Sequence, residues 1–247
     1  MKTQHWLALG AVLSLGATSA FAQRVAPPSA RDAGGAIRTD AGGAPGPTAD
    51  GGAGARPMSG PTTFDLRPGG MSRVTFQSDA PLETMDGVST DTQGSVTVNV
   101  ANPAQGLTGR VQVTVASLRT GSDMRDDHMR GANWLDAARN PNIVFEIRRT
   151  NLTAALQPGQ AMTGTVTGRF SLHGVTRDVT APVTVRLIPL AAEHASMAQF
   201  GVNADMLRVQ SEFRINLSDY GVSIMAPLRL KVSNEIRVRV DMTAFRH

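Results

Sequence analysis

The 247-residue sequence contains no cysteine, which excludes a disulfide framework, a thiolate zinc site, an iron–sulfur cluster and a lipid anchor on an N-terminal cysteine. Aromatic residues are scarce, 11 in all, and this argues against a membrane-spanning β-barrel, whose two interfaces are girdled by aromatic rings. Lysine is almost missing as well: it stands only at positions 2 and 231, so nearly all of the 24 basic residues are arginine. They are dispersed against 20 acidic residues, for a formal charge of +4. The clustered basic stripe of a nucleic-acid-binding surface is therefore lacking, and no nucleic-acid partner is expected. Beyond the N-terminal stretch no apolar run reaches the length of a membrane-spanning helix, so the mature chain is expected to carry no transmembrane segment.

Three compositional zones are present. Residues 1–22 run from Lys2 through an apolar Leu7–Ala17 segment to Ala20-Phe21-Ala22, the layout of a secretory signal peptide, and this predicts a periplasmic or secreted mature protein. From 23 to 62 the chain is mostly glycine, alanine and proline, with Val25, Ile37 and Met58 its only sizeable apolar side chains. Such a segment cannot bury enough apolar surface to offset its own ordering and reads as a disordered linker. Its Gly51-Gly52-Ala53-Gly54 run has no following Gly-Lys-Ser/Thr and does not read as a phosphate loop. Residues 63–247 form the folded domain.

Within that domain the apolar period is two. Val74 and Phe76 alternate with polar neighbours, as do Val96, Val98 and Val100, then Val111, Val113 and Val115, then Ile143, Phe145 and Ile147. Val166, Phe170 and Leu172 lead through a turn at His173-Gly174 into Val179, Ala181, Val183, Val185 and Leu187, a hairpin. Leu207, Val209, Phe213, Ile215 and Leu217, and finally Ile236, Val238, Val240 and Met242, complete the set. Alternating β-branched residues with one apolar and one arginine-rich face predict an antiparallel sandwich or closed barrel whose arginines coat the outside. The pattern breaks between Arg119 and Pro141, where Ser122 precedes a charged stretch, and a short helical insertion is predicted around 122–138 with Trp134 and Leu135 laid against one end of the barrel.

Catalytic constellations are missing. There is no Gly-x-Ser-x-Gly elbow and no cysteine nucleophile; Asp126, Asp127 and His128 are adjacent rather than spaced along one face, and His173 reads as a turn residue. We therefore expect no enzyme, no catalytic residue, no cofactor and no metal site. The interior, by contrast, is lined mostly by valine with gaps at Gly168, Ala181 and Ser211, which leaves room for a ligand. The competing readings are a structural or protein-interaction barrel with a self-filled core, and an enzyme with a metal near His128 or His173. A homodimer is compatible with the pattern.

Ordered motifs add a resemblance. Ser117-Leu118-Arg119-Thr120-Gly121, Arg125-Asp126-Asp127-His128-Met129, Trp134-Leu135-Asp136, Asn140-Pro141 and Ile143-Val144-Phe145 make one block. Gly168-Arg169-Phe170-Ser171-Leu172-His173-Gly174-Val175-Thr176-Arg177 makes a second, and Ser218-Asp219-Tyr220-Gly221 a third. Together they resemble the YceI-like, polyisoprenoid-binding family. The departure lies near the start, where Ser78 and Asp79 follow the first predicted strand and Gly87 is followed by Val88 and Ser89. The resemblance implies an extended antiparallel eight-stranded lipocalin-like β-barrel holding a polyisoprenoid or other long amphipathic chain as carrier or buffer. Candidate lining residues are Phe76, Val98, Val113, Phe145, Val166, Phe170, Leu172, Val183, Phe213, Ile215 and Val238, with Arg125 and His173 at the barrel mouth.

Overall fold

The computed structural model describes residues 60–190, 196–199, 202 and 204–247. The predicted signal peptide, residues 23–59 of the linker, and His194 lie outside the described residues. Ten strands are formed: β1 (Pro61–Leu66), β2 (Arg73–Asp79), β3 (Thr84–Ser89), β4 (Thr92–Asn99), β5 (Thr108–Thr114), β6 (Asn142–Thr150), β7 (Ala161–Leu172), β8 (Val175–Ile188), β9 (Met206–Asn216) and β10 (Glu235–Arg246). Among the described residues a single α-helix is present, α1 (Asp123–Arg130), between β5 and β6. The chain enters β1 at Pro61, two residues ahead of the boundary read from composition.

Every strand pairing is antiparallel, in the order β1-β4-β5-β6-β7-β8-β9-β10-β2-β3, and β1 also pairs with β10, which closes the ring. Ten segments thus build eight walls. β1 and β2 lie one after the other along β10: Phe64 and Asp65 face Arg246 and Phe245, and Arg73–Ser78 face Asp241–Ile236. β4 follows β1 and β3 follows β2 in the same manner. Where β1 gives way to β2, the buried Ser72 side chain takes the place of the missing backbone partner. Its Oγ accepts from Thr243 N at 3.1 Å and donates to Thr243 O at 3.4 Å. The β3–β4 step is held by Val88 and Arg119, which exchange backbone hydrogen bonds of 2.8 and 2.9 Å, and by a 2.7 Å contact between the Ser89 and Ser117 hydroxyls. Eight antiparallel walls closed into a barrel are the predicted architecture, with β3 laddered to β2 alone and meeting the chain on its other side through the Val88–Arg119 bridge.

The eight strands foreseen from alternation correspond to β2 and β4–β10; β1 and β3 are the additions. β3 was hidden because its inward positions are Met85, Gly87 and Ser89, a set with little apolar period. The side chain of Phe76, opposite Gly87 in the register, lies where a Cβ on Gly87 would stand, 2.1 Å from its Cζ. A side chain at position 87 would therefore displace that ring.

α1 is too short to be stable alone. Ser122 occupies its N-cap but its side chain makes no cap hydrogen bond. The helix is held by Asp126 instead, only 2% exposed, whose Oδ1 accepts from Thr120 N at 2.8 Å and Thr120 Oγ1 at 2.6 Å. Arg130 donates to Leu118 O at 3.0 Å and stands 3.8 Å from Asp126 and 3.3 Å from Asp127.

The arginines coat the outside, as alternation predicts. They form cross-strand pairs such as Arg110–Glu146 at 2.9 Å, Arg208–Asp241 at 2.7 Å and Arg239–Glu212 at 2.6 Å. The Arg208 guanidinium, by hydrogen bond and charge, holds the Asp241 carboxyl below its ordinary value.

Candidate functional site

The inward faces of the strands enclose a cavity of ≈ 270 Å³. Two core clusters form its ends. At the α1 end Leu118, Leu135, Leu172, Leu217 and Val222 are buried, with Trp134 and Met129 packed against them. At the other end the cluster contains Leu66, Val98, Leu152, Leu156, Val183 and Leu207. All of these line the cavity. Trp134 and Leu135 therefore stand at the barrel end, where the sequence places them.

The eleven candidate lining positions converge on this one space. Phe76 comes from β2, Val98 from β4, Val113 from β5, Phe145 from β6, Val166, Phe170 and Leu172 from β7, Val183 from β8, Phe213 and Ile215 from β9, and Val238 from β10. Phe170 is the hub of the aromatic set, edge-on to Phe213 at 5.9 Å and to Tyr220 at 5.5 Å. In the β6–β7 register Phe145 faces Phe170 and Thr150 faces Val166, and Phe145 also lies so close over Gly168 that a Cβ there would stand 2.7 Å from its ring.

Among the described residues no charged side chain lines the cavity, and Thr150 and Ser211 are the only hydroxyl-bearing residues in its wall. Both hydroxyls are turned to the wall: Ser211 Oγ donates to Pro182 O at 2.7 Å, and Thr150 Oγ1 donates to Thr165 O at 2.8 Å while accepting from Leu152 N at 3.2 Å. An apolar cavity of about 150 Å³ that offers water no polar partners stays dry and takes up small hydrocarbons. The space described here meets that condition, and a polar headgroup finds no partner inside it.

Arg125 and His173 are at the α1 end but outside the cavity wall. Arg125 Nε donates to Thr120 Oγ1 at 3.0 Å, Nη2 to Thr120 O at 3.1 Å, and Nη1 reaches Glu83 Oε1 at 2.9 Å, so it ties α1 to the β2–β3 turn. His173 and Gly174 have φ of 51° and 76°, the two left-handed residues of a tight hairpin turn. His173 Nδ1 lies 3.0 Å from Tyr220 O; because a carbonyl only accepts, Nδ1 carries the proton. Beside it Arg177 Nε donates to Asp219 O at 3.1 Å. The second and third sequence blocks thus bind each other. Burial, with the charge of Asp219, raises the Tyr220 phenol above its ordinary value against the opposing charge of Arg177.

Asp126 is a further buried titratable group at this end. Desolvation raises its pKa, but the two hydrogen bonds from Thr120 and the charges of Arg130 and Arg119 outweigh it and hold the carboxyl below its ordinary value. His128 is exposed on α1. Among the described residues no three His, Asp or Glu side chains are grouped to hold a metal ion.

Cavity residues missed by the sequence reading came from segments without alternation: Leu152 and Leu156 from the β6–β7 connection, Pro103 and Leu107 from the β4–β5 connection, and Val222 and Val232 from the β9–β10 connection. Their only signal is an apolar side chain in a polar loop.

Residues 66–244 match the family profile described as the YceI-like domain. A UPF0312 protein of Pseudomonas aeruginosa is 26% identical over 145 residues, covering 53% of this chain and 71% of that protein. A UPF0312 protein of Azotobacter vinelandii is 33% identical over 93 residues, covering 38% of this chain and 45% of that one. Among solved structures, a polyisoprenoid binding domain from Saccharophagus degradans, implicated in plant cell wall breakdown, superposes with a TM-score of 0.57 at 16% identity, over 75% of this chain and 99% of that one. BcnA of Burkholderia cenocepacia gives 0.54 at 21% identity, over 70% and 96%. At these identities the likeness is one of fold.

Proposed function

This chain belongs to the YceI-like domain family, and on that premise we propose that it is an exported lipid-binding protein, a carrier or buffer that holds a polyisoprenoid or other long amphipathic chain in its barrel without catalysis. The observation that carries the reading is the ≈ 270 Å³ cavity with a nearly all-apolar wall that holds no charged side chain among the described residues. A solved relative in fold is described as a polyisoprenoid binding domain, which supports the ligand class. The eleven lining residues are the proposed contacts, through burial alone: at about 0.8 kcal/mol per buried methylene, a long chain needs no polar recognition. The headgroup stays outside, since both wall hydroxyls are already bonded to backbone carbonyls. Export to the periplasm or beyond is supported by the N-terminal sequence alone. A barrel filled by its own side chains is the rival arrangement, and the volume left between the two core clusters speaks against it.

Native mass spectrometry of the protein purified without detergent, with organic extraction of the released molecule, tests this. The expected result is a stoichiometric adduct carrying a long hydrocarbon chain, or its uptake when polyprenyl lipid is offered. Ala181→Leu, which adds volume at the cavity wall, is expected to abolish uptake with the melting temperature kept or raised. A protein that stays apo when such lipids are offered overturns the reading.

A further inference from the structure

Six large apolar side chains are exposed among the described residues, and four of them belong to the α1 end: Leu82 at 68%, Met124 at 71%, Met225 at 64% and Leu230 at 53%. The loops that carry them are tied together. Leu82 N donates to Leu230 O at 2.9 Å, and Arg125 of α1 reaches Glu83 at 2.9 Å. Segment 222–232, Val-Ser-Ile-Met-Ala-Pro-Leu-Arg-Leu-Lys-Val, holds two cations and no acidic residue. Its first and last residues, Val222 and Val232, line the cavity, while Met225, Arg229, Leu230 and Lys231 between them are exposed. One loop thus has its ends in the cavity wall and its middle in solvent.

From this we infer that the α1 end is a bilayer-contact face, on which Met225, Leu230 and Leu82 enter the boundary between headgroups and acyl chains while Arg229 and Lys231 meet anionic phospholipid headgroups. Apolar tips flanked by cations are the chemistry of interfacial membrane binding. Asp123 and Asp127 on α1 oppose an anionic surface, so the contact is assigned to segment 222–232 and the β2–β3 turn. Glu83, in that turn, is offset by Arg125. The inference rests on the cavity being a lipid site, because an apolar chain passes into the barrel without crossing water only if the cavity end and the bilayer meet.

The absence of cysteine makes the test direct. Ala226→Cys and Gln105→Cys place a single thiol in the loop and on the β4–β5 connection at the opposite end, both exposed, for labelling of the full chain with an environment-sensitive nitrobenzoxadiazole dye. With vesicles of equal phosphatidylglycerol and phosphatidylcholine, the dye at 226 is expected to shift to the blue and to be quenched by brominated lipid, and the dye at 105 is not. Arg229→Gln with Lys231→Gln weakens partitioning by on the order of tenfold or more, as does raised salt. No shift at 226, or an equal shift at both positions, overturns the inference. Uptake of a fluorescent polyene fatty acid separates the two readings. Uptake without contact at 226 overturns the bilayer face and leaves the cavity site standing; contact at 226 without uptake supports the face and overturns the cavity site.

Discussion

At the scale of single residues, the side chains that recur in the sequence blocks are occupied with one another. Thr120, Arg125 and Asp126 form one closed set, and His173, Arg177, Asp219 and Tyr220 another. Both hold loops over the cavity end; neither points a donor into it. Asp126 makes the consequence measurable. Asp126→Ala removes the acceptor of two Thr120 donors and is expected to cost about 2–3 kcal/mol, read as a lower denaturant midpoint. Because the folded carboxyl lies below its ordinary value of 3.8, its contribution is present in full above that value and is lost as the pH falls through the lower folded value. The stability difference between the protein and Asp126→Ala is therefore expected to be constant from pH 7 to 5 and to shrink below pH 4.

At the scale of elements, Ser72 closes the ladder that β1 and β2 leave open along β10. Ser72→Ala leaves the buried Thr243 N–H without its acceptor, for an expected loss of about 1–2 kcal/mol and faster amide exchange at Thr243. Nothing in the sequence announces this role, since a serine earns it only by lying opposite a strand that pairs with two segments in turn. The long strands were legible because β-branched residues alternate over many positions, as in Val179 to Leu187, and the His173-Gly174 turn was legible because two adjacent left-handed residues favour such a pair. β3 was not legible, because Phe76 occupies the space that its own inward side chains would otherwise fill. Most strand-borne residues of the cavity wall share the inward parity of their strands, whereas Pro103, Leu107, Leu152 and Leu156 come from connections that carry no parity. Arg125 and His173 stand at the α1 end outside the cavity wall, and the Glu83 carboxylate and Tyr220 carbonyl that engage them come from 42 and 47 residues away, with no signature in composition.

At the scale of the whole molecule, the walls are unequal. β7 and β8 are joined in register from Ala161–Arg186 to Leu172–Val175, and β9 and β10 from Glu235–Asn216 to Phe245–Met206. β3, by contrast, is bonded along one side to β2 and meets the chain on its other side through the Val88–Arg119 bridge, the Ser89–Ser117 contact and the Arg125–Glu83 ion pair. The barrel is therefore a cylinder with a seam. Local opening is cheapest where few backbone bonds are lost, so the β2–β3 hairpin is expected to swing on its β10 ladder as a door hung on one side, with Met85 and Phe76 on its inner surface. Hydrogen exchange should find Val88 and Arg119 exchanging together and well ahead of the β7–β8 amides, and a chain too long for the barrel has in that seam a place to leave it sideways.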